Sequence, residues 1–402
     1  MSRNSCAGVN PLSRCRRYVL VACLATSCSV GQAPGLALNE LEQIWPQVQR
    51  EGSEALDANK FWIAEPLLKE AVTEAESFGT GDLRLAKSLG ELGRLYTIRG
   101  RFADAEPYLE RELAVREQAL GRQNGEIIPP MGALIAFYLT YGTAKKAEPL
   151  TEELLSLVEG KLREPASQRQ GTVKLEKGMP LQAWAGTVAV GAGDPLIEWA
   201  ITCDALGDLY RRGENFDIAE RLYKAALDLK ASVLPKEHLS LANSYDSLGS
   251  LCLARNEYAE AESYFREALA ITEKTLPPDS PQVYGRLDKL AKCLIKAGKT
   301  RQAEELYQRA QGLWKSEPSR NFNEARALFA LGSLYVEQKN YAAAAPLLQE
   351  ALRLAESING PWSISLVPYL EKYAYTLYYL GRKPEWESLR ARANTIAGVT
   401  QQ

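Results

Sequence analysis

Apolar residues recur at helical spacing along most of the chain. Leu248, Leu251 and Cys252 lie three and four positions apart, which places them on one face of a helix. A second helix follows, in which Ala261 and Phe265 share a face in the same way. Neither helix can bury its apolar face alone. The pattern therefore predicts two-helix hairpins that stack on one another.

The two-helix pattern repeats with a period of about 42 residues. Its reference position recurs at Tyr96, Tyr138, Tyr210, Cys252, Leu294, Tyr335 and Leu377. Ala55, one period before Tyr96, marks an eroded first copy. The step from Tyr138 to Tyr210 alone is too long, by about 30 residues, which is the size of an insertion within the array. The spacing thus predicts about eight helix pairs and one insertion.

The copies share a short motif, which is clearest in Leu206-Gly207-x-Leu209-Tyr210 followed by Phe216 and Ala219-Glu220. The small residue three positions before the reference position and the alanine of the Ala-Glu pair allow two helices to approach closely. The glutamates of that pair lie in the first turn of the second helix, where the helix dipole favours negative charge. We interpret the glutamates as structural: Glu65, Glu106, Glu148, Glu220, Glu262, Glu304 and Glu387.

These residues resemble the tetratricopeptide repeat. The step between copies is longer than the usual ~34 residues. With the Ala-Glu pair and loops such as 234–238, it is similar to the kinesin-light-chain type of repeat. The resemblance covers residues 39–397 apart from the insertion. It implies an all-α, right-handed α-solenoid of about eight antiparallel helix pairs. In this family the concave groove, lined by the first helix of each pair, binds a peptide or protein segment.

Four segments follow from this reading: a signal peptide at 1–33, N-terminal repeats at 39–162, an insertion at 163–193 and C-terminal repeats with a terminal cap at 194–397. The insertion contains β-like stretches and predicts a hairpin or flap, with a long loop as the alternative. It is either functional or a tolerated surface insertion. In the last copy, Trp386 replaces a small residue and Arg390 occupies an apolar position, as a terminal helix allows. Its tyrosines form either a docking surface or terminal packing.

The N-terminus predicts export. Residues 1–33 contain four arginines and no acidic residue, followed by an apolar run, 18–30, that is too short to span a bilayer. We expect a secreted, periplasmic or cell-envelope protein. Ala25-Thr26-Ser27-Cys28 is similar to a bacterial lipoprotein box, so Cys28 is a candidate for lipidation and membrane anchoring. Plain cleavage near Ala33 is the alternative.

Composition narrows the function. The chain has 48 basic residues, 50 acidic residues and one histidine among 402, and a near-neutral surface does not favour nucleic-acid binding. His238 has no partners at catalytic spacing, and nucleotide-binding, EF-hand and hydrolase motifs are absent from the sequence. We therefore expect no enzyme activity, cofactor, metal site or small-molecule substrate. Cys203, Cys252 and Cys293 fall on apolar helical positions, which predicts buried thiols.

An acidic series is the one candidate site. Asp204, Asp246 and Asp288 lie one period apart, each three positions before the small residue of its copy. In this repeat type that position faces the groove. Asp208, Ser250 and Lys292 follow one turn later, with Arg211 nearby. These seven residues are the predicted partner-binding set, and they favour a basic segment. The alternative is solvated helix surface.

The sequence therefore predicts a non-enzymatic scaffold that mediates protein–protein interaction through its groove. The alternative is an envelope-anchored lipoprotein that takes part in assembling a membrane-associated complex. In that case, the membrane contact is made only through the lipid anchor.

Overall fold

The computed structural model describes residues 38–141, 144–164, 194–278, 280–314 and 321–398. Within them every regular element is a helix, and sixteen α-helices form eight pairs. The prediction of an all-α solenoid built from about eight antiparallel pairs is confirmed. The signal-peptide segment, Cys28 and residues 165–193 of the insertion lie outside the described residues. What was predicted for them, and the segment boundaries, stay predictions.

Each pair consists of a helix A and a helix B. The A helices are α1 (Leu38–Asp57), α3 (Leu83–Ile98), α5 (Ile128–Tyr141), α7 (Pro195–Arg212), α9 (Leu239–Ala254), α11 (Pro281–Lys296), α13 (Asn321–Glu337) and α15 (Val367–Tyr379). The B helices are α2 (Phe61–Glu76), α4 (Phe102–Leu120), α6 (Ala144–Arg163), α8 (Phe216–Val233), α10 (Tyr258–Thr275), α12 (Thr300–Trp314), α14 (Tyr341–Asn359) and α16 (Lys383–Ile396). Single 3₁₀ turns precede α5 and α15.

The turn from helix A to helix B has a left-handed residue four positions after the reference position. Gly100, Gly298 and Gly381 hold it with φ of 71°, 75° and 74°. In the fourth pair this residue is Glu214, with φ of 60°, and the preceding Gly213 has a φ of −81°. Glycine tolerates this conformation without the Cβ clash that other residues pay for.

Small residues three positions before the reference position bring the two helices of a pair together, as the sequence predicted. A Cβ on Gly207 would lie 2.7 Å from the Tyr223 ring, and one on Gly249 would lie 2.8 Å from the Phe265 ring. Neither space is free, because an aromatic ring of helix B already fills it.

The Ala-Glu glutamates join successive pairs. Glu262 of α10 contacts Lys299, just after α11, at 2.8 Å, and Glu220 of α8 contacts Arg255, just after α9, at 2.5 Å. Corresponding contacts link Glu65 to Arg99, Glu106 to Lys146, and Glu304 to the Tyr335 hydroxyl. The structural interpretation of these glutamates was sound, but their inter-repeat role exceeds the helix-dipole effect that we expected.

The third and fourth pairs, on either side of the insertion, pack differently from the others. Here α5 packs directly on α7, and α6 packs on α8. The Tyr210 hydroxyl meets the Thr151 hydroxyl at 2.6 Å, one helical turn beyond Glu148. Glu148 itself has no ion pair within the described part of the chain. At this junction like helices therefore stack directly, A on A and B on B, whereas elsewhere helix B packs on the next helix A.

The last pair ends the array with a polar outer face. Ser388 and Arg390 on α16 are exposed, whereas Trp386 is half-buried. The guanidinium of Arg390 lies 5.5 Å from the Trp386 ring centre. A solvated, polar outer face is what a terminal repeat needs, and the assignment of α16 as a cap stays a prediction.

Candidate protein-binding groove

Equivalent positions on the A helices define a surface that we call the groove face. It consists of the residues nine, six, five and two positions before the reference position and one position after it. Lys87, Gly90, Glu91, Arg94 and Thr97 hold these positions on α3 and line a cavity of about 500 Å³. A second cavity lies further along the same face.

The second cavity has a volume of about 250 Å³ and lies between α7, α9 and α11. Its lining is polar throughout: Asp208, Arg211, Asn243, Asp246, Ser247, Ser250 and Lys289. The structure thus brings together four of the seven predicted binding residues, Asp208, Arg211, Asp246 and Ser250. Asp204, Asp288 and Lys292 lie outside its lining.

Asp204 is joined to a buried lysine. Lys230 of α8, only 5% exposed, contacts the Asp204 carboxylate and donates a hydrogen bond to Ser244 Oγ of α9 at 2.7 Å. Burial raises the pKa of Asp204, and the charge of Lys230 opposes this rise. Lys230 of α8 therefore joins α7, through Asp204, to α9, through Ser244.

Asp246 is 9% exposed and lies between two cations of the next pair. Its Oδ2 is 3.0 Å from Lys289 Nζ and 3.6 Å from Arg286 Nε, both on α11. Arg286 also donates a hydrogen bond to Asn243 Oδ1 at 2.8 Å. Burial lowers the pKa of Arg286, whereas the charge of Asp246 raises it.

Asp288 is neutralised within its own pair. Its carboxylate lies 2.7 Å from Lys292 Nζ, one turn away on α11, and accepts a hydrogen bond from the Tyr307 hydroxyl at 3.2 Å. Burial and the neighbouring Asp288 charge hold the pKa of Tyr307 above its usual range. Lys292 extends into solvent, with 61% of its side chain exposed.

Asp208 and Ser250 complete the set. The Asp208 carboxylate accepts a hydrogen bond from Tyr223 at 2.6 Å and lies 3.5 Å from Arg211, with about half of its side chain exposed. Ser250 donates a hydrogen bond to the Asp246 carbonyl at 2.7 Å. Across the predicted set and its partners, four carboxylates face five cations: Arg211, Lys230, Arg286, Lys289 and Lys292. The predicted binding residues and their partners together therefore carry no excess negative charge.

Sequence reasoning missed a second role of the acidic position. The side chain six positions before the reference position of an A helix contacts a residue of the next A helix. That residue lies eight positions before the reference position of its own copy. In the first pairs, Ser88 donates to Gln49 Oε1 at 2.7 Å, and in the last pairs the Phe329 and Tyr369 rings lie 4.5 Å apart. Asp246 and Arg286 form the same contact. The two partners lie slightly less than one period apart, which is a spacing that the sequence could have been searched for.

The larger cavity is shaped by a glycine at that position. A Cβ on Gly90 would clash with the Glu112 carboxylate, so glycine leaves room for a helix B side chain to reach the groove face. Glu112 is 8% exposed, and burial raises its pKa while Arg116, 3.1 Å away, opposes this rise. Ile98 and Tyr141, both about half exposed, add apolar surface.

The three cysteines of the described residues lie inside A helices. Cys203, Cys252 and Cys293 are free and buried, as their apolar positions predicted. Burial raises the pKa of Cys203 to about 12 and that of Cys252 to about 11, so both thiols stay protonated near neutral pH. Within the described ranges, no three His, Cys, Asp or Glu side chains are grouped as metal ligands. No described helix combines the length and hydropathy needed to cross a membrane.

Comparison with known families identifies five of the eight helix pairs of the described residues. Profiles described as tetratricopeptide repeat match residues 85–124, 200–274 and 283–357. The chain contains tetratricopeptide repeats. The matched segments include the α9–α10 and α11–α12 pairs around the polar cavity. The recognition made from the motif and its spacing is therefore confirmed.

Solved tetratricopeptide-repeat structures resemble the chain at low sequence identity. A putative kinesin light chain from Podosopora anserina, with nearly identical TPR-like repeats, is 20% identical; the match covers 58% of this chain and 96% of that one, with a TM-score of 0.42. BtubC (BKLC) from P. vanneervenii is 17% identical over 65% and 91% of the two chains, with a TM-score of 0.42.

A third structure is a signal transduction ATPase with numerous domains that carries a tetratricopeptide repeat sensor, from Pyrococcus horikoshii. It is 16% identical over 88% of this chain and 47% of that one, with a TM-score of 0.49. No curated protein sequence matches the chain significantly.

Proposed function

We propose that this tetratricopeptide-repeat protein is a non-enzymatic scaffold that binds a segment of a partner protein along the groove face. The observation that supports this best is the polar cavity, where Asp208 and Arg211 of α7, Ser250 of α9 and Lys289 of α11 converge from three successive pairs. Asp208 and Lys289 are about half exposed, and Arg211 is about one-third exposed. Side chains from separate repeats that converge on one open surface suit an extended ligand that crosses several repeats.

We propose that the partner segment is basic, although the carboxylates of the cavity are already paired with cations of this chain. A cation of the partner has to compete with Lys289 for Asp246 and with Arg211 for Asp208. Asp208 is the more accessible of the two, since about half of its side chain is exposed. We propose that a basic side chain of the partner is bound first by Asp208, beside Ser250, and that Lys289 opposes its entry.

Two charge variants of this chain test the proposal. The ligand is the partner protein that the chain recovers by pull-down from its native cells. Asp208→Asn should weaken its binding about fivefold and reduce its salt dependence, because an ion pair of roughly 1 kcal/mol is lost. Lys289→Met should strengthen the binding, because it removes a like charge and leaves Asp246 paired with Arg286. The measurement is the dissociation constant by surface plasmon resonance at two salt concentrations.

Lys274→Met, an exposed lysine of α10 outside the cavity lining, is the matched control and should change nothing. Weaker binding by Lys289→Met together with unchanged binding by Asp208→Asn would show that the partner is acidic. That outcome would refute the basic preference while leaving groove binding intact.

We propose, as a second candidate function, that the chain is exported, acylated at Cys28 and takes part in assembling a membrane-associated complex at the cell envelope. It rests on the sequence of residues 1–33, with its arginines and short apolar run. A lipid on Cys28 would place the groove next to a membrane without a spanning helix.

A further inference from the structure

Aromatic rings form a continuous ridge at the C-terminal end of the groove face. Tyr341 stacks on Tyr379 with centroids 4.7 Å apart and planes 7° apart. Tyr375 lies 4.8 Å from Tyr379 on one side, and Tyr378 lies 5.4 Å from it on the other. Tyr378 in turn lies 5.2 Å from Trp386. We call these five residues the aromatic ridge.

Terminal packing does not account for the ridge. Tyr375, Tyr378 and Tyr379 are 46%, 49% and 51% exposed, so about half of each side chain stays in water. The outer face of α16, with exposed Ser388 and Arg390, is polar and makes no use of these rings. In the middle of the groove the position of Tyr375 is held by Asp208, and that of Tyr378 by Arg211. The last pair therefore exchanges charged groove positions for exposed rings.

The ridge is bordered by positive charge. Lys339 lies close enough to act electrostatically on Tyr379, and Arg390 lies over the Trp386 ring. Neither forms an ion pair within the described residues. Of the nearby acids, Glu385 is already bound by Arg382 at both of its oxygens. Exposed Glu371, one turn before Tyr375, is followed directly by Lys372. A ligand that carries a carboxylate is thus complementary to this border.

Adjacent, half-exposed aromatic rings are a suitable binding surface for a polyproline II segment. A polyproline II segment has flat apolar proline rings, has no internal hydrogen bonds, and leaves its carbonyl groups free to accept from tyrosine hydroxyls. Because proline restricts the unbound segment, little conformational entropy is lost on docking.

We propose that the aromatic ridge binds a proline-containing, extended segment of a partner protein that carries an acidic residue beside its prolines. The proposal deepens the proposed function, because Tyr375 and Tyr378 of the ridge hold groove-face positions at the C-terminal end of that face. It concerns other residues than the polar cavity, and the two proposals stand or fall separately.

Fluorescein-labelled peptides test the proposal on the full chain by fluorescence anisotropy. The probe has eight prolines flanked by glutamates. One comparison peptide has the same prolines flanked by lysines, and the other is a glutamate- and alanine-rich helical peptide without proline. The wild-type chain should bind the glutamate-flanked proline peptide at least tenfold more tightly than either comparison peptide.

Three variants locate the binding. Tyr375→Ser with Tyr378→Ser should lose at least tenfold in affinity, and Lys339→Met should reduce the preference for glutamate over lysine flanks. Trp62→Ser is the matched control, since Trp62 is 79% exposed in the first pair, and it should bind as the wild type does. Thermal unfolding followed by circular dichroism verifies that the double variant is folded.

No binding of the proline peptide by the wild-type chain, or equal binding by the folded double variant, would overturn the proposal. Equally tight binding of the helical peptide would refute the polyproline component. None of these results affects the Asp208 and Lys289 experiment, so failure at the ridge is distinguishable from failure of groove binding.

Discussion

At the scale of single residues, the lone histidine shows how a structural role can be mistaken for an unremarkable loop position. His238 is the N-cap of α9, where its Nδ1 accepts a hydrogen bond from the Ser240 amide at 3.1 Å. It is 8% exposed, and burial together with the Lys230 charge lowers its pKa below the usual 6.5. The ring must stay neutral at Nδ1 to accept this bond.

Stability should therefore fall in mild acid through His238. The unfolded chain takes up a proton at this histidine near pH 6.5, whereas the folded chain does so only at a lower pH. Between these values the unfolded state binds more protons, so the free energy of unfolding falls as the pH falls. Urea titrations of the wild type from pH 8 to pH 5 measure this loss.

His238→Asn provides the comparison, because asparagine caps a helix without titrating. The stability difference between wild type and His238→Asn should shift against the wild type below about pH 6.5. His238→Ala should cost about 1 kcal/mol at pH 8 through loss of the cap. A constant difference between wild type and His238→Asn across this pH range would exclude the proposed effect.

At the scale of the helix pair, close approach depends on the small residue three positions before the reference position. Gly249 of α9 faces the Phe265 ring of α10, and a Cβ there would lie within 2.8 Å of it. Gly285 of α11 is also inside a helix, but a Cβ there would meet nothing within 4 Å. Substitutions at these two glycines therefore distinguish the effect of helix packing on stability from the effect of helix propensity.

Gly249→Leu should destabilise the chain by about 1–3 kcal/mol, because the added side chain has to push the two helices apart. Gly285→Leu should leave stability unchanged or raise it by up to ~1 kcal/mol, since leucine is the better helix former. Chemical denaturation of both variants measures the difference. Equal effects at the two positions would show that glycine is not needed for close packing.

The sequence predicted the helix pairs well, because the spacing of Leu248, Leu251 and Cys252 depends only on one helix. It also revealed the repeat period, and with it the positions that face a common groove. It did not reveal that Asp246 is held by Arg286, since that contact joins two pairs and depends on how they stack. Glu112 was missed for the same reason, because a helix B residue reaches the groove only where Gly90 leaves space.

At the scale of the whole molecule, the groove face changes character along its length. It begins with a partly apolar cavity at Gly90, continues as a charge-balanced polar cavity around Asp246, and ends in the aromatic ridge. Buried contacts between successive A helices hold these zones in order. The altered packing between the third and fourth pairs lies between the first zone and the other two.

Site-specific photo-crosslinking of the full chain in its native cells tests groove binding most directly. Benzoylphenylalanine replaces Ser250, which lines the polar cavity, or Ala259, which is exposed on α10 outside both cavities. We expect Ser250 to crosslink to one defined partner protein and Ala259 to give no such product. The same product from both positions, or a product from Ala259 alone, would contradict binding in the groove.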